Sequence, residues 1–242
     1  MSTIKSSSED LTLNADGSNE VKFQINAVEK ASINSSGLFT STTIDATKLT
    51  GNLPAISGAS LTGVGGAWTV ITSQTASASS SLDFTGINST YSTYAFVLSD
   101  IVPATDTTEL NLLTSTDGGS SYDNSSANYY FATLSLDDAG SAQNTYTGSG
   151  YTAMRIIGSA QSMGNASGES GSAIVYLHEP SNASTTTKCS WTAGWINQTA
   201  KNLIGVGSGR RDSIADVDAV RFIQSSGNIT SGKITMYGIA TS

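Results

Sequence analysis

This chain has little of what most catalytic and nucleic-acid-binding sites are made from. It has one cysteine, Cys189, in 242 residues, which excludes an intrachain disulfide and a thiolate metal cluster. Cys189 stands in mid-strand among apolar neighbours, a setting for a buried, inert thiol rather than a nucleophile with a lowered pKa. The chain also has one histidine, His178, so a Ser-His-Asp site would need that imidazole held by an acid and aimed at an exposed serine. With 41 serines present, some serine near His178 is guaranteed and carries no information. Charged residues make up 12% of the chain, about half the share usual in a globular domain. They sum to −8, whereas nucleic acid demands clustered Lys and Arg. Arg210-Arg211 is the only adjacent basic pair, and Asp212 follows it at once. The same balance disfavours an anionic membrane surface. No apolar run approaches the roughly 18 residues of a membrane span, and the opening MSTIKSSSEDL lacks the apolar stretch of a secretion signal.

What the chain does have is 41 Ser, 31 Thr and 24 Gly against 3 Pro. These are poor helix-interior residues, and nowhere do strong helix formers recur at helical spacing. The composition specifies an all-β protein. Near the N-terminus, Asp16-Gly17 is a tight-turn pair, Val21, Phe23 and Ile25 alternate with polar residues, and Asn26-Ala27 makes a two-residue turn before Val28 to Ile33. Such hairpins bury too little surface to stand alone. Residues 41–66 then repeat Leu-Thr-Gly at 49–51 and 61–63. In that stretch Leu49, Leu53, Ile56 and Leu61 punctuate small residues, a pattern suited to strands intertwined about a threefold axis, where glycine lets three backbones approach. A flexible Gly/Ser linker would use the same small residues without the regular apolar recurrence. From Trp68 onward, eleven candidate strands follow at a steady pitch between turn-rich segments, as in a β-sandwich of jelly-roll type. The expected organisation is an N-terminal hairpin attachment or shaft segment over 1–40, a connector over 41–66 and a sandwich over 67–242.

Sugar binding is the functional class this composition serves best, through aromatic faces flanked by Asn and Asp. Trp191 and Trp195 share one strand face with Cys189 and Ala193, so they belong to the core. The better candidates are expected on loops: Tyr122 with Asp123 and Asn124, Tyr146 with Asn144, and Tyr129. Asp216 and Asp218 could offer oxygens to calcium, but no segment matches the twelve-residue calcium loop. Their alternative role, with Asp117, Asp123 and Asp212, is to cap turns and balance Arg210, Arg211 and Arg221. Asp137-Asp138 before Gly140 reads as a turn rather than the paired carboxylates of a glycosidase. No enzyme and no cofactor are expected.

Several runs carry a resemblance. LTLNADG (11–17), VKFQ (21–24) and ASINSSG (31–37) resemble the trimeric shaft regions of bacteriophage fibre proteins, and LPAISGASLTG (53–63) is similar to the connector that precedes a fibre's terminal domain. FTGI (84–87), STDGG (115–119), DVDAVRF (216–222) and SSGNI (225–229) with Tyr237-Gly238 resemble a β-sandwich domain recurrent in phage virion proteins. The resemblance implies a homotrimeric virion structural protein, made in the host cytoplasm. It implies a short tail fibre that docks on another virion protein (baseplate, tail or capsid) through its N-terminal segment and binds host-surface polysaccharide with its sandwich. Neither nucleic acid nor membrane insertion is expected. Fibres usually begin with a longer docking region, and the early hairpins here keep a capsid decoration protein or head fibre as the alternative. A carbohydrate-active enzyme module is a more distant one.

Overall fold

The computed structural model describes residues 20–36, 39–41, 67–125, 128–140, 143–158 and 161–240. It divides into two compact units, residues 1–61 and 62–242, and all regular structure among the described residues is β. In the first unit β1 (Val21–Ile25), β2 (Val28–Ile33) and β3 (Phe39–Ser41) form an antiparallel sheet in that order. The expected turn is there: Asn26 and Ala27 both take positive φ, 53° and 61°, the mirror-image turn whose twist suits a hairpin. Val21, Ile33 and Phe39 lie in one row, Phe23 and Ala31 in the next, and Ile25 and Val28 in the last. One face of this small sheet is therefore apolar, and its Phe23, Ile25, Val28, Ile33 and Phe39 are exposed. The expected shaft residues Leu49, Leu53, Ile56 and Leu61 lie outside the described residues.

The second unit is two antiparallel sheets over one core. Along the chain come β4 (Trp68–Ser79), β5 (Leu82–Thr85), β6 (Thr93–Pro103), β7 (Leu110–Ser115), β8 (Tyr129–Asp137), β9 (Gln143–Tyr151) and β10 (Met154–Ile157). Then follow β11 (Gly171–His178), β12 (Lys188–Ile196), β13 (Asn202–Arg211), β14 (Ala219–Gln224) and β15 (Ile229–Ile239). The wide sheet has the order β4-β15-β6-β11-β12-β13-β8-β9, and the narrow one β10-β7-β14-β5. All eleven expected strands appear close to their expected places, and β9 makes a twelfth. β9 was not expected, because QNTYTGSGY has neither apolar alternation nor β-branched density.

The period-2 pattern decides which side chains fill the space between the sheets. Phe84 and Phe222 from the narrow sheet meet Phe96 from the wide one edge-on, with centroids 5.5–6.1 Å apart. All three are fully buried, each adding about 1.5–3 kcal/mol of burial beyond the ring–ring contact. Trp191 and Trp195 are buried, as their strand parity required, and so is Cys189; burial pushes its thiol pKa up. The tryptophan rings reach over the glycines of the next strand. A Cβ on Gly207 would meet Trp191 Cε2 at 2.5 Å, and one on Gly205 would meet Trp195 Cζ3 at 2.8 Å. β13 therefore needs glycine at these inward positions because another strand's rings occupy the space.

Candidate functional site

The sites expected from sequence scatter when the chain folds. Tyr129 is fully buried. Its hydroxyl donates to the Asp123 carbonyl at 2.8 Å and accepts the Thr114 N–H at 2.8 Å, and burial raises its pKa. It is a core tyrosine, turned inward by the parity of β8, and cannot face a glycan. Tyr146 lies in β9 rather than on a loop. It packs half-buried against Phe131, bonds the Tyr151 hydroxyl at 2.8 Å and lies under the Arg155 guanidinium. Asn144 is also in β9. Tyr122 lies beneath Arg221, whose guanidinium carbon is 4.0 Å from the ring centroid.

Asp123 and Asn124 do line a polar hollow of about 330 Å³ together with Tyr122 and Arg211. Asp123 is engaged there, accepting from Arg211 Nη2 at 3.0 Å and from Asn128. Of the calcium candidates, Asp216 is exposed, while Asp218 accepts the Gly118 N–H at 2.8 Å. Among the described residues no three His, Cys, Asp or Glu come together to hold a metal. Asp117 serves its own turn. Its carboxylate accepts from the Ser121 hydroxyl and amide and from the Ser115 hydroxyl, and these bonds lower its pKa to about 2. Asp137, buried at the end of β8, pairs with Lys201 at 3.1 Å.

A different surface gathers the chain's aromatic and polar side chains: the outer face of the wide sheet, which no third layer among the described residues covers. The registers align one transverse row across all eight strands, namely Trp68, Ile239, Thr93, His178, Lys188, Arg210, Tyr130 and Ser149. Beside it runs a second row containing Tyr237, Ala95, Tyr176, Ser190, Ser208 and Ala132. Trp68 touches Tyr237 and Tyr176 edge-on at 5.4 and 5.9 Å, Tyr176 stacks on His178 at 6.2 Å, and Arg210 covers Tyr130 at 4.7 Å. A shallow hollow of about 560 Å³ opens between Tyr130, His178, Ser190, Ser208 and Arg210. A second, of about 590 Å³, opens further along the same face between Val97, Ile174, Thr192 and Ile204. Val70, Ile204 and Leu136 are 59%, 53% and 46% exposed on this side, so the face is apolar as well as hydroxyl-rich.

Chemically this face can stack rings and donate hydrogen bonds. His178 Nε2 and Ser190 Oγ are 2.9 Å apart, the pair a hydrolase would use. Here no carboxylate hydrogen-bonds the imidazole among the described residues. The backbone around Ser190 is committed to the β11 and β13 ladders, which leaves no free N–H pair for an oxyanion. Burial, then the Lys188 charge, holds the His178 pKa below its ordinary value. Sequence reasoning missed this surface. The parity argument that turns Trp191 inward, applied to β11, turns Tyr176 and His178 outward; what no single strand reveals is that β4, β8, β13 and β15 bring their own rings and cations to the same level. No protein-family model, no curated protein and no solved structure matches the chain.

Proposed function

We propose that this chain is a structural protein of a bacteriophage virion, a homotrimeric short tail fibre that adsorbs to polysaccharide on the host surface. The observation that carries the reading is the uncovered outer face of the wide sheet, with Trp68, Tyr237, Tyr176 and Tyr130 ranged across it among Ser and Thr hydroxyls. Aromatic faces pack on sugar rings while hydroxyls and amides meet their polar rims, and a broad open surface suits a polymer better than a small molecule. Three copies raise avidity for a repeated sugar, because the second and third contacts become intramolecular. The function is adhesion without chemistry.

Two further features support it. The apolar face of the β1–β3 sheet is exposed among the described residues, and exposed apolar surface of this kind calls for a partner; three copies about a shared axis would supply it. Numbered along the chain, the eight strands β4, β5, β6, β7, β10, β11, β14 and β15 take the orders 1-8-3-6 and 2-7-4-5 in the two sheets. A jelly roll has these orders, and on that reading β8–β9 and β12–β13 are two inserted hairpins that widen one sheet. The same N-terminal apolar face also suits an anchor on another virion protein, which keeps a capsid decoration protein or head fibre as the second reading.

Light scattering of the full-length chain tests the assembly: a trimer has three times the 24.8 kDa chain mass, and a clean monomer overturns the shaft. Retention on arrays of host polysaccharide, lost when Trp68 and Tyr176 are both replaced by alanine, is the expected result for adhesion. Immunogold on virions separates tail tip from capsid, and gold over the shell would replace the tail-fibre reading with decoration.

A further inference from the structure

The outer face carries a charge pattern that folding alone does not favour. His178 of β11 faces Lys188 of β12 directly, and Lys188 faces Arg210 of β13 directly. Like charges opposite one another across a ladder are destabilising, yet three basic side chains stand side by side in a chain with 19 acidic residues and 11 Lys and Arg. Lys188 is exposed and has no ion-pair partner among the described residues. Arg210 is held by Asp212 at 3.2 Å, out in solvent with both side chains about half exposed, where such a pair contributes little. The repulsion registers on His178, whose pKa is depressed by burial first and by Lys188 second, with Glu179 opposing. The hollow over this row is lined by all three basic groups and by no Asp or Glu. Tyr130 lines it under Arg210, and Tyr176 stacks on its His178.

We propose that the His178–Lys188–Arg210 row is a binding site for the acidic groups of an anionic polysaccharide, uronate carboxylates or sulfate esters, with Tyr130 and Tyr176 flanking the sugar rings. The inference rests on the adhesion reading and names its ligand class. Adjacent strands are about 4.8 Å apart, close to the advance of one sugar ring along an extended chain. A polymer crossing the strands would therefore meet the Lys188 and Arg210 cations at about the interval of its own repeat, with the His178 imidazole beside them. Arg210 offers a planar fork to a carboxylate or sulfate, and Lys188 a compact charge. The chain's net charge of −8 repels a polyanion elsewhere, which makes the contact local and sensitive to salt.

The test uses the full-length protein with three probes of matched length: polygalacturonate, dextran sulfate and neutral dextran. The wild type is expected to bind the two acidic polymers more tightly than dextran, with affinity falling as salt rises. Replacing Lys188 and Arg210 together by serine should weaken acidic-polymer binding at least about tenfold, the loss expected for one charge-assisted contact. Lys233→Ser, which removes a cation at the opposite end of the same face, should leave it unchanged. Thermal unfolding of each variant guards against misfolding, and relief of the like-charge pair should keep the double variant at least as stable as the wild type. Equal binding of all three polymers, unaffected by the double substitution, overturns this inference and leaves adhesion standing. Failure to retain any polymer, or array glycans of any kind, overturns the adhesion reading and this inference with it.

Discussion

Gly207→Ala is the sharpest test of how the wide sheet is packed. Its added Cβ would sit 2.5 Å from Trp191 Cε2 and Cζ2 and 2.8 Å from Nε1, whereas ordinary carbon contacts begin near 3.5 Å. The indole must therefore retreat by about 1 Å, and it has nowhere easy to go. Trp191 is 3% exposed and belongs to the core shared by both sheets. Overpacking of this kind costs about 1–3 kcal/mol. For a chain of this size each kcal/mol moves Tm by about 2–4 °C, so Tm should fall by about 2 to 12 °C in differential scanning calorimetry. Trp191→Phe alone should also destabilise, because it removes buried ring. Combined, the two changes should cost clearly less than their sum, with a coupling of about 0.5–3 kcal/mol, since the smaller ring vacates the space the new methyl needs. An unchanged Tm for Gly207→Ala, or strictly additive effects, would refute the argument that β13 carries glycine to receive the tryptophans of β12.

Three further outcomes follow from the same geometry. Tyr129→Phe removes the acceptor of the Thr114 N–H and should cost about 1–3 kcal/mol by urea titration, with polysaccharide retention unaltered; lost retention at full stability would return Tyr129 to the binding surface. Asp117 has a folded pKa lowered to about 2 by its Ser121 and Ser115 bonds, below its ordinary 3.8. Its contribution is thus fully present above about pH 4 and is lost as pH falls through about 2, so its carboxyl carbon should titrate near 2 by NMR; a midpoint near 4 would show the turn is not held this way. Arg221 bonds Asp83 through Nε and Nη2 at 2.7 and 2.6 Å and covers Tyr122. Arg221→Lys keeps the charge but loses the fork, and should cost about 1 kcal/mol in urea titration; equal stability of Lys, Ala and wild type at this position would mean the pair contributes nothing.

Most of the sandwich was legible because its strands are half-buried and alternate. The β14 run AVRFIQ and the hairpin around Asn26-Ala27 could be read to the residue, the first from its apolar density and the second from a two-residue gap between alternating runs. β9 escaped because its inward positions are filled by Tyr146 and Gly148, and Gly148 is there only to receive Phe131, whose ring would lie 2.3 Å from an added Cβ. That is a demand of the neighbouring strand and leaves no periodic trace. The binding candidates fared worse for a related reason. Tyr122, Tyr129 and Tyr146 have polar residues beside them in sequence, but a tyrosine's surroundings are set by strand parity and by which sheet lies opposite. Tyr129 begins β8 on its inward face, and its polar neighbours satisfy its buried hydroxyl.

The assembled surface could not be read from sequence because it belongs to the register. Trp68 lies near one edge of the sheet and Ser149 near the other, 81 positions apart in the chain, and only the pairing of eight strands brings them to one level. On the jelly-roll reading, Trp68, Tyr237, Tyr176 and His178 come from the eight-strand framework, while Lys188, Arg210 and Tyr130 come from the two inserted hairpins. The framework supplies most of the rings, and the insertions supply the two permanent positive charges, Lys188 and Arg210. A ladder also sets the distance between successive side chains across the strands at about 4.8 Å, whatever residues occupy them. Outward side chains on such a face can therefore be exchanged without disturbing the core they are backed by. That freedom would let one fold keep its rings for stacking while altering its charges to match the acidity of a different surface polymer.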